Sequence, residues 1–317
     1  MSLASCVWRD KSGIRPVFKI IIFFGLVYGI ISSESTCIWF FQHLFSIFNY
    51  MLGYDQLTGG DDYTDRGTIF IAYEFLPFIF YFSAALIATK IMALFEGRSF
   101  WSYNLGLFRC SKKLFFGFVF GVFSIIFILA SLFLFGQYSF AKTSFSFSFI
   151  FWDGLLSIGF NFLRACSFEV IFRGYIQKIL NENYGFYFSL FVTTFIFSSA
   201  QVYQIFTQIN KENLIEALSY FGFYLLFGGF LCFSIRRTSS LWWSIGFHWG
   251  YYIFLSFLTN EFFVPNFLDD SLIRNSFVVL SGTLVQRHLI EATCIALLIF
   301  LMVIFTDKKE NENGKLQ

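Results

Sequence analysis

Apolar runs of about 20 residues, the length that crosses a bilayer as a helix, recur along almost the whole chain. They lie near 17–34, 68–95, 114–137, 147–166, 186–205, 217–235, 240–258 and 288–305. No soluble core hides that many greasy segments. Charged residues make up 13%, against about 25% in a typical soluble domain. Helices satisfy their own backbone hydrogen bonds in lipid, so the expected fold class is all-α, a polytopic transmembrane helix bundle of about eight spans. The segment 37–53 contains Gln42, His43 and Asn49, and either spans or lies along the interface.

Charge gives the expected orientation. With 37–53 outside the count and the N-terminus cytoplasmic, Arg9, Lys11, Arg15, Lys19, Arg98, Arg109, Lys112, Lys113, Arg173, Lys178, Arg236, Arg237, Lys308 and Lys309 fall on one side. About 17 of the 22 Lys and Arg lie on or near that side, as the positive-inside rule requires. Both termini are then cytoplasmic. The acidic stretches 61–65 (DDYTD) and 261–270 (EFFVPNFLDD) fall outside. The polar, basic start and the absence of an evident small-residue cleavage site point to an uncleaved anchor span. Three regions are expected: N-terminal spans over 1–149, a core over 150–258, and an outer loop, last span and polar tail over 259–317.

Several function classes are disfavoured. A net charge of +2 with no basic-aromatic module gives no reason to expect nucleic acid. Six scattered cysteines, with no CxxC pair, form neither a zinc motif nor a disulfide framework. The 52 phenylalanines read as interchangeable apolar bulk rather than as a specific aromatic device. No Gly-rich phosphate loop, GxSxG or HExxH is present.

Against this background, charge inside an apolar run stands out, because it is costly in lipid. In SFEVIFRGYIQ (167–177), Glu169 and Arg173 are four residues apart, on one face of an α-helix and within pairing reach. The fourth span is expected to continue as a helix through Arg164 to Lys178. An ion pair tucking a charged helix end under the bundle explains the spacing without catalysis. His248 lies in SLWWSIGFHWGYYIF (240–254), flanked by Gly246 and Gly250. It is either a helix–helix hydrogen-bonding group or a functional one. Gln201 and Gln204 close an apolar run. Glu74 is an acid without an evident partner, Asp153 sits near the outer third of the fourth span within reach of water, and His288 and Glu291 read as interfacial.

Three segments, in order, resemble one family. EVIFRGYIQ (169–177) is similar to a Glu-Glu-x-x-x-Arg-Gly signature. FIFSSAQ (195–201) is similar to a Phe-x-x-x-His segment. RRTSSLWWSIGFHWGYY (236–252) is similar to a segment reading Arg-Thr-Gly-Ser-Leu-Trp, then Gly-Leu-His, then Asn four residues after the His. RSFWSYNLGLF (98–108) is similar to the loop before them. These are marks of the CPBP family, the CAAX-type prenyl proteases and bacteriocin-processing or immunity membrane proteins also called Abi.

The resemblance implies peptide hydrolysis inside the membrane. A Glu and a His would activate water, and a His and an Asn would bind metal or stabilise the oxyanion. Arg173 and His248 stand at retained positions, and Glu169 at that of the second Glu. The lead Glu is Phe168, the second-motif His is Gln201 and the Asn is Tyr252. A glutamine does not titrate, whereas a tyrosine hydroxyl still donates. His248 would be a ligand if metal binds, with zinc the implied cofactor of an active enzyme; otherwise no cofactor is expected.

Three readings follow. One is a pseudoprotease with a binding or bacteriocin-immunity-type role, holding a membrane peptide or a prenylated or bacteriocin-like ligand among membrane lipids. Another is an active endopeptidase with Glu169 as base and His248 and Tyr252 as electrophilic helpers. The last is a transporter-like protein, which would carry inverted repeats or broken helices. The expected location is the bacterial inner membrane.

The topology is directly testable. In a cysteine-free background, Asp62→Cys should react with a membrane-impermeant thiol reagent added outside intact cells. Labelling only after lysis would sink the orientation.

Overall fold

The computed structural model describes residues 9–10, 13–14, 16–32, 76–103, 110–140, 147–206, 214–259, 278–280 and 289–298. Glu74, His288 and the 37–53 segment lie outside the described residues. Nine α-helices are described: α1 Pro16–Ser32, α2 Leu76–Phe95, α3 Cys110–Leu134, α4 Phe147–Phe168, α5 Gln177–Tyr184, α6 Phe186–Phe206, α7 Leu214–Thr238, α8 Leu241–Thr259 and α9 Leu289–Leu298. The all-α expectation needs one addition, two short antiparallel ladders. The first pairs β1 (Arg9–Asp10) with β2 (Gly13–Ile14); the second pairs β3 (Tyr138–Phe140) with β4 (Val278–Leu280), Tyr138 opposite Leu280.

Among the described residues two helices, Ser111–Leu134 and Ala217–Thr238, are long and apolar enough to cross a membrane. Ser111–Leu134 turns Phe115, Phe116, Val119, Phe123 and Ile126 outward, a stripe of bulky apolar side chains that water would penalise heavily. Four shorter apolar helices, Pro16–Ile31, Ile79–Phe95, Phe186–Val202 and Leu289–Leu298, coincide closely with the apolar runs at 17–34, 68–95, 186–205 and 288–305.

The chain divides into two compact units. The first comprises Met1–Tyr103 and Ser148–Ile171. Within it α1 packs on α2. Glu96, just past α2, is the shared anchor. Its carboxylate lies 3.9 Å from the Lys19 ammonium and 3.3 Å from the Arg98 guanidinium, and accepts a 3.0 Å bond from the Tyr103 hydroxyl. Gly97 (φ 64°) ends α2: its N–H bonds Leu94 O and the Arg98 N–H bonds Ala93 O, a Schellman closure that needs a left-handed residue.

The second unit comprises Asn104–Phe147 and Phe172–Gln317. Its central contact is between α3 and α8. Each carries two glycines four apart: Gly117 and Gly121 on α3, Gly246 and Gly250 on α8. A Cβ at Gly117 would fall on the Trp243 carbonyl oxygen, and one at Gly121 on that of Phe247. Reciprocally, a Cβ at Gly246 would meet Leu114 O, and one at Gly250 Phe118 O. The partners advance together along both helices, so α3 and α8 run parallel, backbone on backbone. Small residues permit this approach, the usual route to helix association in lipid. Lys113 on α3 also donates to Thr238 O (2.8 Å), occupying a carbonyl at the C-terminal end of α7.

Ser239 ends α7 in the left-handed region (φ 49°), its N–H bonding Ile235 O. That conformation suits glycine, the residue that the Arg-Thr-Gly-Ser pattern carries here.

Two stability predictions follow from this packing. Gly121→Leu and Gly250→Leu should each cost about 1–3 kcal/mol, the scale of overpacking a close contact. Gly25→Leu, where an added Cβ meets nothing within 4 Å, should be near neutral. Ser239→Gly should instead gain about 1 kcal/mol, by removing the left-handed penalty. Reversible unfolding in detergent checks all of these, and equal effects of the three leucines would refute the backbone contact.

Candidate functional site

Glu169 opens a π-helical segment, Glu169–Ile176, set without a break between α4 and α5. The helix therefore continues past Lys178, as the sequence suggests. Its geometry differs from the α-helix assumed for the Glu169/Arg173 spacing. A π turn bonds i to i+5, so residues four apart fall short of a full turn. Glu169 is fully buried and Phe168, the last α residue before it, is half-buried. Both belong to the first unit.

Arg173, Gln201, His248 and Tyr252 belong to the second unit, and aromatic rings join Arg173, His248 and Tyr252. The Arg173 guanidinium carbon stands 4.1 Å from the centroid of the Phe197 ring on α6, and Nη2 donates to Gly228 O (3.3 Å) on α7. A cation over a ring face, plus a charged donor on a carbonyl, offsets part of the cost of burying this side chain. Gly228 leaves the room: a Cβ there would lie 2.9 Å from Phe197 Cδ1 and 3.2 Å from Arg173 Nη2. One turn on, Gln177 donates from Nε2 to Cys232 O (3.1 Å). Arg173 and Gln177 thus take successive carbonyls of α7, four residues apart on each helix.

Phe197 also touches His248, ring centroids 6.4 Å apart and planes nearly perpendicular. His248 sits two residues from both Gly246 and Gly250. At about 100° per residue it faces away from α3, towards Phe227 on α7 (centroids 5.5 Å). Tyr252, one turn further, lies against the imidazole (centroids 5.0 Å). Its hydroxyl bonds the Tyr224 hydroxyl (3.3 Å) on α7. Gln201 lies one turn beyond Phe197 on α6, 2% exposed, its Nε2 without an acceptor among the described residues. The described environment of His248 in this unit is mostly aromatic.

The donor set fits a metal poorly. A zinc site needs about three or four converging His, Cys or carboxylate ligands. Among the described residues no group of three such side chains gathers. Gln201 and Tyr252 stand where the resemblance has His and Asn.

The sequence carries no signal for the parts played by Tyr224, Phe197, Gly228 and Gln177. A tyrosine or phenylalanine in a chain with 16 Tyr and 52 Phe carries no local signal. Gln177 sits inside the signature stretch, but only the turn-by-turn match with α7 carbonyls reveals its part. Asp153 lies on α4, Gln204 on α6 and Glu291 on α9.

The tyrosine pair makes a sharp test. Tyr252→Phe and Tyr224→Phe should each cost about 0.5–1.5 kcal/mol, with the double variant costing little more than either single. Additive losses in a double-mutant cycle would show that the hydroxyls do not bond each other.

Residues 151–254 match the family model described as type II CAAX prenyl endopeptidase Rce1-like. The match runs through Phe168, Glu169, Arg173, Gln201, His248 and Tyr252. No curated protein matches the chain. Over residues 151–254, about a third of the chain, the protein is therefore similar to the Rce1-like type II CAAX prenyl endopeptidases.

Proposed function

We propose that this protein is a CPBP-type pseudoprotease of the membrane, which keeps the helical frame and binds a ligand rather than cutting one. The carrying observation is the state of the three replaced positions. Phe168 has no ionisable group. Gln201 is buried and accepts no proton at neutral pH. The Tyr252 hydroxyl is engaged with Tyr224. Water activation needs a base within hydrogen-bond reach, and a general base contributes about 10²–10⁴-fold. The retained Arg173 serves packing, through Phe197 and Gly228.

The ligand class that this reading favours is a membrane peptide or a prenylated or bacteriocin-like molecule, with an immunity-type role in a bacterial inner membrane and both termini cytoplasmic. Support comes from the outward apolar stripe of α3 and the eight apolar runs with basic residues gathered on one side.

An active endopeptidase is the second reading, favoured by the full burial of Glu169 and the retention of His248. New protein N-termini should be compared in membranes from cells with the wild-type protein, Glu169→Ala, His248→Ala and no protein. The pseudoprotease reading expects no terminus that depends on Glu169 or His248. Termini lost in both variants would overturn it and identify the substrate.

A further inference from the structure

Within the second unit, a cavity of about 570 Å³ opens where α5, the start of α6 and the last turn of α7 meet. That size is in the range of small-ligand sites. The charged groups on its wall are engaged within the protein. Arg173 lies over Phe197 and donates to Gly228 O, Lys178 faces Glu182 at 3.8 Å, and all three have further partners. Arg236 is exposed, 4.4 Å from the centroid of Phe186, and water screens its charge. Hydrogen bonding, and not charge, therefore sets what the cavity can hold.

Gln177 makes the first demand. It lines the cavity and is 5% exposed; its Nε2 donates to Cys232 O (3.1 Å), and its Oε1 has no donor among the described residues. A buried acceptor left unmatched is costly, so a fitting ligand donates there. A carboxylate or phosphate would set oxygen against oxygen, and a hydrocarbon would leave the acceptor unmatched. The exposed Asn181 and Ser239 also line the cavity. A carboxamide and a hydroxyl each donate and accept, so they ask for both in return. A hydroxyl is the neutral group that gives both, and several on neighbouring carbons serve several wall groups at once. Phe186 and Ile235 add apolar surface for the carbon skeleton between them.

The cavity also has a defined depth. Arg236 is in the last turn of α7, whose Ala217–Thr238 stretch is long and apolar enough to cross a membrane. Charged residues at such an end lie at the level of lipid headgroups. We infer that this cavity binds a neutral vicinal polyol, the chemistry of a sugar headgroup. The same chemistry is offered by a glycolipid in the bilayer and by a free sugar in water.

The test uses the full chain purified in a polyoxyethylene detergent, which carries no vicinal hydroxyls, with bound lipid read by native mass spectrometry. Monoglucosyldiacylglycerol should be retained over diacylglycerol, which lacks the sugar, and over phosphatidic acid, which replaces it with an anion. Asn181→Ala and Ser239→Gly should each lower retention about fivefold, the scale of one neutral hydrogen bond. Ser239→Gly also relieves the left-handed backbone, so a loss there cannot come from unfolding. Gln177→Met should lower retention further, with helical circular dichroism checking its fold; if it unfolds, the two exposed variants decide. Asn183→Ala is the control. It removes the same amide from α5, but Asn183 does not line the cavity and its Nδ2 bonds Ile179 O. It should retain the glycolipid.

Displacement by millimolar methyl glucoside would support a site that takes the sugar from either source. Retention that depends on Asn181 and Ser239 without displacement would support a site served by the bilayer glycolipid. Retention of diacylglycerol or phosphatidic acid equal to that of the glycolipid, or equal loss in Asn181→Ala and Asn183→Ala, would overturn the site. None of these readouts depends on whether the protein cleaves peptides.

Discussion

The approach of two glycine faces, Gly117/Gly121 against Gly246/Gly250, is the constraint on which the second unit depends. Lipid tails are as apolar as leucine, so burying grease gives helices in a membrane little reason to associate. Close backbone contact supplies many dispersion contacts at once, each individually small. It also fixes register, because only one alignment puts a glycine opposite each carbonyl. With α8 pinned to α3 on one side, residue 248 must face the other way. The aromatic shell of Phe197, Phe227 and Tyr252 around His248 follows from that orientation.

The polar groups of this unit are held by the same economy. Arg173 and Gln177 each find a carbonyl on α7, and Lys113 reaches the last one. Backbone carbonyls serve as acceptors for side chains because each has two lone pairs and an α-helix uses only one. A helix can therefore host buried cationic and amide side chains from its neighbours without giving up its own hydrogen bonds. That is how a chain with few charged residues accommodates an arginine that is 1% exposed.

Much of the helix layout was legible in the sequence. The run at 114–137 falls on α3, that at 147–166 on α4, and that at 240–258 on α8, since apolar length alone marks such helices. The family frame was legible too, through Arg173, His248 and the spacing between them. Three things were not. The π segment looks like any amphipathic helix, because 3.6-residue periodicity is the only yardstick a sequence offers. The Tyr224–Tyr252 bond joins residues 28 apart, and nothing local marks one tyrosine among many. The glycines beside His248 were visible, but their pairing with those of α3 is a property of two helices and not of either.

The π segment has a consequence for how this chain can drift. A wider turn holds an additional residue, so it resets the angular phase of everything that follows it. Deleting one residue between Glu169 and Arg173 would restore ordinary α bonding, yet swing the side chains beyond by about 100°. Arg173 and Gln177 would then miss the α7 carbonyls together. Side-chain chemistry at Phe168, Gln201 or Tyr252 can change one position at a time without disturbing that phase. Chain length through 169–176 cannot. Lineages of this protein should tolerate substitutions in the signature far better than insertions or deletions, so the motif would outlast its chemistry as a spacing.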